Sequence, residues 1–158
     1  MQLSKSRILY IEDHDDTREL VSLVLHQHGF EVITGSTIEC GIDLAGTGTF
    51  DLYLLDSWLP DGSGLDLCRK IREFDQHTPI LFYSAAAYEV DRELALQSGA
   101  QAYLVKPSQT SALCSLVSLL IEESRSRVEV TSSLADRRPS ARAIPSERSF
   151  LTPTAKRP

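Results

Sequence analysis

The clearest structural signal in the chain is LYLLDSWLPDGSG, residues 52–64. Its first four residues are large and apolar, which is typical of a strand buried on both faces of a parallel sheet. Asp56 follows directly, where an isolated carboxylate would lose its charge in a dry interior, so we expect this residue to have a partner or a chemical role. The remaining PDGSG has the composition of a turn, and Ser63 is suited to cap the helix that follows.

Apolar runs of this kind alternate along the chain with stretches of helical period. The five runs begin near Arg7 (RILYI), Glu31 (EVIT), Asp51 (DLYLL), Pro79 (PILFY) and Gln101 (QAYLV). Parallel neighbours in a sheet need crossover connections, and a helix usually supplies them. The pattern therefore predicts a doubly wound α/β domain of flavodoxin-like architecture, whose five-stranded parallel sheet has the order 2-1-3-4-5.

Local signals also predict where helices start and end. Asp16–Glu19 and Ser36–Glu39 have the spacing of a capping box, so helices are expected to start there. Gly29 and Gly99 are expected to end helices, because glycine adopts the left-handed backbone of a helix terminus at little cost.

Polar side chains follow four of the five predicted strands. Glu12 and Asp13 follow the first strand, Asp56 the third, Ser84 the fourth and Lys106 the fifth. In the predicted order the first and third strands are neighbours where the strand order reverses, which is where ligands bind in such sheets. We therefore expect three carboxylates to converge there.

Such a cluster has a definite chemical use. Carboxylates about 5 Å apart repel by roughly 3 kcal/mol per pair at an effective dielectric near 20, so the cluster needs a cation or a raised pKa. Mg²⁺ suits so sparse a set of oxygen ligands better than Ca²⁺ does. With Mg²⁺ bound, Asp56 can accept a phosphoryl group, while Lys106 supplies a positive charge and Ser84 a hydrogen bond to its oxygens.

These motifs make the chain resemble the receiver domain of bacterial response regulators in two-component signalling. The resemblance covers about residues 5–123 and rests on ILYIEDH, LYLLDSWLPDGSG, PILFYSA and SGAQAYLVKP in that order. It implies a stand-alone receiver in which Asp56 takes phosphoryl from a histidine of a sensor kinase or of a histidine phosphotransfer protein. It also implies a phospho-acceptor switch rather than an enzyme, with only self-catalysed phosphorylation and slow autodephosphorylation, that delivers its signal to a downstream protein target.

The resemblance assigns a metal site to one end of the sheet. Asp13, Asp56 and the backbone carbonyl of Trp58 would coordinate Mg²⁺, and Glu12 would act through a water molecule. The acidic pair is Glu-Asp where the family more often has Asp-Asp, a change that keeps the chemistry. An indole at Trp58 that overhangs the site would hinder an attacking water, so slow loss of the phosphoryl group is expected.

The resemblance also assigns the groups that respond to phosphorylation. Ser84, where the family more often has Thr, and Lys106 would contact the phosphoryl group, and Tyr103 would change rotamer. The bond between Lys106 and Pro107 would be a cis peptide, which is plausible because proline follows. The surface of the fourth helix, fifth strand and fifth helix would then bind a partner, or a second copy in a phosphorylation-dependent homodimer.

Two other readings of the same residues stay open. A degenerate receiver would keep the fold and switch without phosphate. A phosphohydrolase of the haloacid dehalogenase type also places its nucleophile after an apolar strand, but it needs a second acid two residues later. Trp58 occupies that position here, so the enzyme interpretation lacks its general acid and base.

The charge of the chain divides near Ser124. Residues 1–124 hold 19 acidic and 8 basic side chains, whereas residues 125–158 hold 3 acidic and 8 basic ones and are rich in Ser, Pro and Arg. We therefore predict a receiver domain over 1–124 and a disordered basic tail over 125–158. Such a tail could meet nucleic-acid phosphates, but it has no helix-turn-helix pattern and no aromatic platform, so specific DNA binding is not expected.

Composition narrows the cellular setting. No apolar run approaches the roughly 20 residues that span a bilayer, and the N-terminal residues do not have the pattern of a signal peptide. The three cysteines Cys40, Cys68 and Cys114 are far apart and have no metal-ligand spacing. We expect a cytoplasmic protein that does not insert into membranes.

Overall fold

The computed structural model describes residues 4–107 and 110–135. The strands are β1 (Arg7–Ile11), β2 (Glu31–Gly35), β3 (Leu52–Leu55), β4 (Trp58–Leu59), β5 (Gly62–Ser63), β6 (Ile80–Ser84) and β7 (Ala102–Val105). The helices are α1 (Asp15–Gln27), α2 (Ile38–Thr47), α3 (Gly64–Phe74), α4 (Glu89–Gln97) and α5 (Thr110–Ala135). None of the helices in this part of the chain combines the length and the apolar character of a membrane-spanning segment.

The central sheet confirms the predicted doubly wound fold. Its five strands are parallel and lie in the order β2-β1-β3-β6-β7, which is the predicted order once the short hairpin β4-β5 is set aside. That antiparallel hairpin was not predicted and forms from the turn after Asp56. Alternate residues of each strand enter two apolar layers, one beneath α1 and α5 and the other beneath α2, α3 and α4.

The predicted helix ends are correct and the predicted starts are shifted. Gly29 and Gly99 have positive φ angles of 89° and 112°, as expected of helix termini. Helix α1 begins after His14, whose ring Nδ1 accepts a hydrogen bond from the Thr17 N–H. Helix α2 begins after Thr37, whose hydroxyl accepts from the N–H three residues on. Each helix therefore uses a nearby acceptor other than the residue that the capping-box spacing indicated.

Helix α5 continues past Ser124 to Ala135, so the disorder predicted from residue 125 does not describe residues 125–135. No glycine or proline interrupts the chain between residues 108 and 138, and the Ser- and Arg-rich composition does not prevent helix formation there. The Arg125 guanidinium also holds the helix to the body by donating to the Asp51 carboxylate at 2.9 Å and to the Ser6 hydroxyl at 3.0 Å.

The remaining part of the predicted tail lies outside the described residues. This segment, 136–158, contains the basic side chains on which the nucleic-acid reading depends, namely Arg137, Arg138, Arg142, Arg148, Lys156 and Arg157. Its disorder and its binding properties therefore stay predictions.

Candidate functional site

Three carboxylates meet at the carboxyl ends of β1 and β3. Each of Glu12, Asp13 and Asp56 offers an oxygen, and these oxygens all lie within 4.8 Å of one another. The two strands are direct neighbours in parallel register, so the residues that follow them are brought side by side. Glu12 and Asp56 are only 1% and 8% exposed, whereas Asp13 faces solvent. The predicted acidic cluster is therefore present at the switch point of the sheet.

The Asp56 carboxylate has several partners, yet the pKa of this group is raised. Burial is the main cause, and the neighbouring Glu12 charge adds to it. Lys106, the Ser57 N–H and the Ser84 hydroxyl act in the opposite direction without cancelling the rise. The Ser57 N–H donates to Oδ1 at 2.7 Å, and the Lys106 Nζ lies 3.6 Å from Oδ2. The partners that the protein supplies therefore do not offset the burial of this carboxylate and the charge of Glu12.

Glu12 has three donors around its carboxylate. Its Oε2 accepts from the Lys106 amine and from the Tyr10 hydroxyl, the latter at 3.1 Å, and its Oε1 accepts from the His14 N–H at 3.1 Å. Burial, followed by the Glu12 charge, raises the pKa of Tyr10 far above its usual range, so the hydroxyl keeps its proton. The Lys106 Nζ also lies 5.4 Å from the centroid of the Tyr83 ring.

The loop that carries the acidic pair is held by an arginine that sequence reasoning missed. Arg18 Nη1 donates to the carbonyl oxygens of Glu12 and Asp13 at 2.7 Å and 3.4 Å, and Nη2 pairs with the Asp15 carboxylate. The available signal was the position of Arg18 in the first turn of α1. A basic residue there interacts unfavourably with the helix dipole, so its presence indicates a compensating contact elsewhere.

The turn after Asp56 is packed against the acceptor. A β carbon on Gly64 would stand 1.9 Å from the carbonyl oxygen of Asp56, a distance that no real side chain could adopt. The Gly64 N–H donates to the Ser57 carbonyl at 2.9 Å. The Ser63 hydroxyl caps α3 as predicted, by accepting from the Leu65 N–H at 3.1 Å. This turn therefore constrains the backbone that directly follows the acceptor side chain, from the Asp56 carbonyl to Ser57.

Asp61, in the same turn, caps a different helix. Its carboxylate accepts from the Ile38 N–H at 2.8 Å and from the Glu39 N–H at 3.1 Å, at the start of α2. Burial acts to raise the pKa of Asp61, but these backbone donors outweigh it and hold the pKa below its usual range. Sequence reasoning treated this residue only as part of a turn.

The remaining predicted residues differ in burial and in hydrogen bonding. Ser84 is fully buried at the end of β6, and its hydroxyl accepts from the Ala86 N–H at 3.3 Å. Tyr103 is buried, with its hydroxyl donating to the Ala86 carbonyl at 2.7 Å. Trp58 is 67% exposed and pairs through β4 with β5. The bond between Lys106 and Pro107 is cis.

The chemistry of this donor set fits Mg²⁺. The cluster offers three carboxylates and lacks soft sulfur or imidazole donors, which is the preference of a hard cation that keeps several of its waters. The raised pKa of Asp56 points the same way, because a bound cation would offset the crowding of negative charge that contributes to the shift.

Comparison with known proteins gives a consistent picture. The family model of the response regulator receiver domain matches residues 8–118. The chain is 39% identical over 111 residues to a probable transcriptional regulatory protein of Picosynechococcus sp., covering 66% of this chain and 44% of that protein. It is 33% identical over 124 residues to the cell cycle transcriptional regulator CtrA of Caulobacter vibrioides, covering 78% of this chain and 53% of that protein. The chain thus spans about half the length of the curated relatives it matches.

Solved structures show the same fold. A CheY-like response regulator receiver domain protein from Methanospirillum hungatei superposes with a TM-score of 0.74 at 25% identity, covering 78% of this chain and 99% of that one. Because the family match covers more than half of the chain and includes all three residues of the acidic cluster, the chain belongs to the receiver domains of two-component response regulators.

Proposed function

We propose that Asp56 is the phospho-acceptor of this receiver. The observation that carries the proposal is the position of its carboxylate, which is buried among two other acids and lies beside the Lys106 amine and the Ser84 hydroxyl. An Asp56 oxygen would attack the phosphorus of a phosphohistidine on a sensor kinase or a histidine phosphotransfer protein. The new O–P bond forms as the N–P bond breaks, and the electron pair stays on the histidine nitrogen.

Residues of the cluster would hold Mg²⁺ during this reaction. The carboxylates of Asp13 and Asp56 and the backbone carbonyl of Trp58 are the proposed ligands, with Glu12 acting through a water molecule. When bound, the ion screens the charge between the anionic acceptor and its anionic donor. Lys106 and Ser84 would contact the oxygens of the transferred group through a charge and a hydrogen bond.

The switch is proposed to run from Ser84 to Tyr103. Both side chains bind the same residue, because the Ser84 hydroxyl accepts from the Ala86 N–H and the Tyr103 hydroxyl donates to the Ala86 carbonyl. A Ser84 hydroxyl drawn towards a phosphoryl group would release Ala86 and thereby alter the contact of Tyr103. The surface of α4, β7 and α5 would then bind a downstream protein or a second copy of the chain.

The partners follow from this proposal. The phosphoryl donor would be a cytoplasmic sensor histidine kinase or a phosphotransfer protein, and the output would be made by protein contact. The relatives above are named as transcriptional regulators, and the chain matches about half of their length. A receiver acts here as a switch that accepts phosphoryl and slowly loses it, and no substrate is turned over.

The deciding experiment is incubation with acetyl phosphate and Mg²⁺, followed by intact mass measurement. Wild-type protein and Asp66→Asn, which changes an exposed acid on α3, are expected to gain one phosphoryl group. Asp56→Asn is expected to gain none. A phosphoryl adduct on Asp56→Asn that forms as readily as on the wild type would show that the acceptor has been wrongly assigned.

A further inference from the structure

The proposed reaction would remove a charged hydrogen-bond donor from the buried carboxylate of Glu12. In the resting structure its Oε2 is shared by two donors, the Lys106 amine and the Tyr10 hydroxyl. When Lys106 turns to a phosphoryl group on Asp56, this oxygen loses its charged partner. A buried carboxylate oxygen left without any donor is costly, so the departure of Lys106 is tolerable only if another donor stays on this oxygen.

Tyr10 meets this requirement. Its ring is fully buried in the apolar layer beneath α1 and α5, so the hydroxyl is held in place and has no access to bulk water. Among the described residues it is the donor that remains on Glu12 Oε2 once the amine has left, while the His14 N–H continues to serve Oε1. The hydroxyl also stands at the end of β1, on the rigid sheet rather than on a loop.

We propose that Tyr10 is a positioning residue that holds Glu12 in place while Lys106 moves to the phosphoryl group. This inference rests on the proposed function, because it presupposes that Lys106 leaves Glu12 during the reaction. It predicts that the Tyr10 hydroxyl contributes little to the free energy of unfolding while Lys106 is in place. The contribution should be much larger when Lys106 is absent. A purely structural hydroxyl would contribute equally in both situations.

A double-mutant cycle on the full chain without metal tests this dependence. Tyr10→Phe and Lys106→Met are combined, and the free energy of unfolding of all four proteins is measured in urea. Tyr10→Phe is expected to raise the unfolding equilibrium constant at least about fivefold more in the Lys106→Met background than in the wild type. Equal effects of Tyr10→Phe in the two backgrounds would overturn the inference.

The matched control is Tyr53→Phe. Tyr53 is also buried, but its hydroxyl donates to the Asp75 carboxylate at 2.9 Å on the other face of the sheet. Tyr53→Phe is expected to have the same effect with and without Lys106. If the effect of Tyr53→Phe on the free energy of unfolding increased in the Lys106→Met background as much as that of Tyr10→Phe, the inference would be contradicted. The loss of Lys106 would then sensitise the protein to the removal of any buried tyrosine hydroxyl.

Phosphorylation kinetics give a second measurement. With acetyl phosphate and saturating Mg²⁺, Tyr10→Phe is expected to gain its phosphoryl group about tenfold more slowly than the wild type, and Tyr53→Phe at the wild-type rate. Wild-type protein that gained no phosphoryl group would overturn the proposed function itself. Normal phosphorylation of the wild type and of Tyr10→Phe alike, together with an additive cycle, would overturn only the role of Tyr10.

Discussion

Gly64 lies against the backbone of Asp56 so closely that its missing β carbon would stand 1.9 Å from the Asp56 carbonyl oxygen. The obstacle is backbone and cannot rotate away. We therefore expect Gly64→Ala to lower the free energy of unfolding by about 3 kcal/mol or more and to abolish phosphorylation, because the acceptor must shift. Urea unfolding and intact mass after acetyl phosphate treatment measure the two effects.

The control for this substitution is Gly46→Ala. Gly46 lies in α2, and an added β carbon there would have no atom within 4 Å. Because alanine favours helix over glycine, Gly46→Ala should be neutral or stabilising by up to about 1 kcal/mol. A Gly64→Ala protein as stable as Gly46→Ala would contradict the close packing of this turn.

Mg²⁺ affinity should depend on Asp13. Replacing this charged ligand by Asp13→Asn is expected to weaken Mg²⁺ binding at least about tenfold, because ligand charge sets the affinity for hard cations. The chain has one tryptophan, Trp58, two residues after the acceptor, so its fluorescence during a Mg²⁺ titration reports on this site. Asp16→Asn, which removes an exposed acid from α1, should leave the affinity unchanged. Equal affinities of the two variants would remove Asp13 from the ligand set.

The acceptor should make the metal-free protein less stable at neutral pH. The pKa of Asp56 is raised from 3.8 on folding, so the folded state holds this proton more tightly than the unfolded chain does. Stability contributed by the group is present at low pH and is lost as the pH rises through the folded pKa. Asp56→Asn should therefore gain stability relative to the wild type between pH 4 and pH 7.5, measured by urea unfolding in EDTA. A relative stability of the variant that declines with rising pH would contradict the direction of this shift.

Asp61 should stabilise α2 from outside that helix. Asp61→Ala removes the acceptor of two N–H groups at the helix start, and a loss of about 1 kcal/mol is expected. Because the pKa of Asp61 is lowered on folding, this contribution should be lost as the pH falls through that pKa. Urea unfolding at several pH values measures both effects. Asp43→Ala, an exposed change within α2, should show no such loss, and equal losses in the two variants would argue against a specific cap.

Trp58 is expected to slow the loss of the phosphoryl group. If the indole hinders the attacking water, Trp58→Ala should shorten the phosphoryl lifetime, followed by intact mass after the donor is removed. Phe74→Ala is a suitable control, because Phe74 is an exposed aromatic residue on α3 outside the acidic cluster. A lifetime that changes equally little in both variants would exclude this role of the indole.

Much of the fold could be predicted because it is encoded in local patterns. Buried parallel strands produce apolar runs, and the site residues directly follow those runs, so Glu12 and Asp56 could be brought together from topology alone. Topology did not predict the contact of Tyr10 with Glu12, because a tyrosine within an apolar run has the pattern of an ordinary core residue. The cap that Asp61 provides joins segments 23 residues apart and depends on the exact path of the turn.

The C-terminal end of helix α5 could not be predicted from amino-acid composition either. The sequence after Ser124 is rich in Ser, Pro and Arg and shows no sustained apolar period, which predicted a disordered segment. The helix continues because the preceding turns are already ordered by the core, so each added residue extends an existing hydrogen-bond ladder. The contact of Arg125 with Asp51 adds a tertiary anchor that no local pattern reveals.

Strand β6 contributes to both sides of the molecule. Leu81 and Tyr83 belong to the layer beneath α1 and α5, Phe82 belongs to the layer beneath α2, α3 and α4, and Ser84 ends the strand. Because protein interiors are tightly packed, a displacement of this strand is transmitted to the side chains that pack against it. A movement of Ser84 towards a phosphoryl group would therefore shift helices on both faces of the sheet. Two different proteins could then respond to the same phosphorylation by binding opposite faces, without competing for one surface.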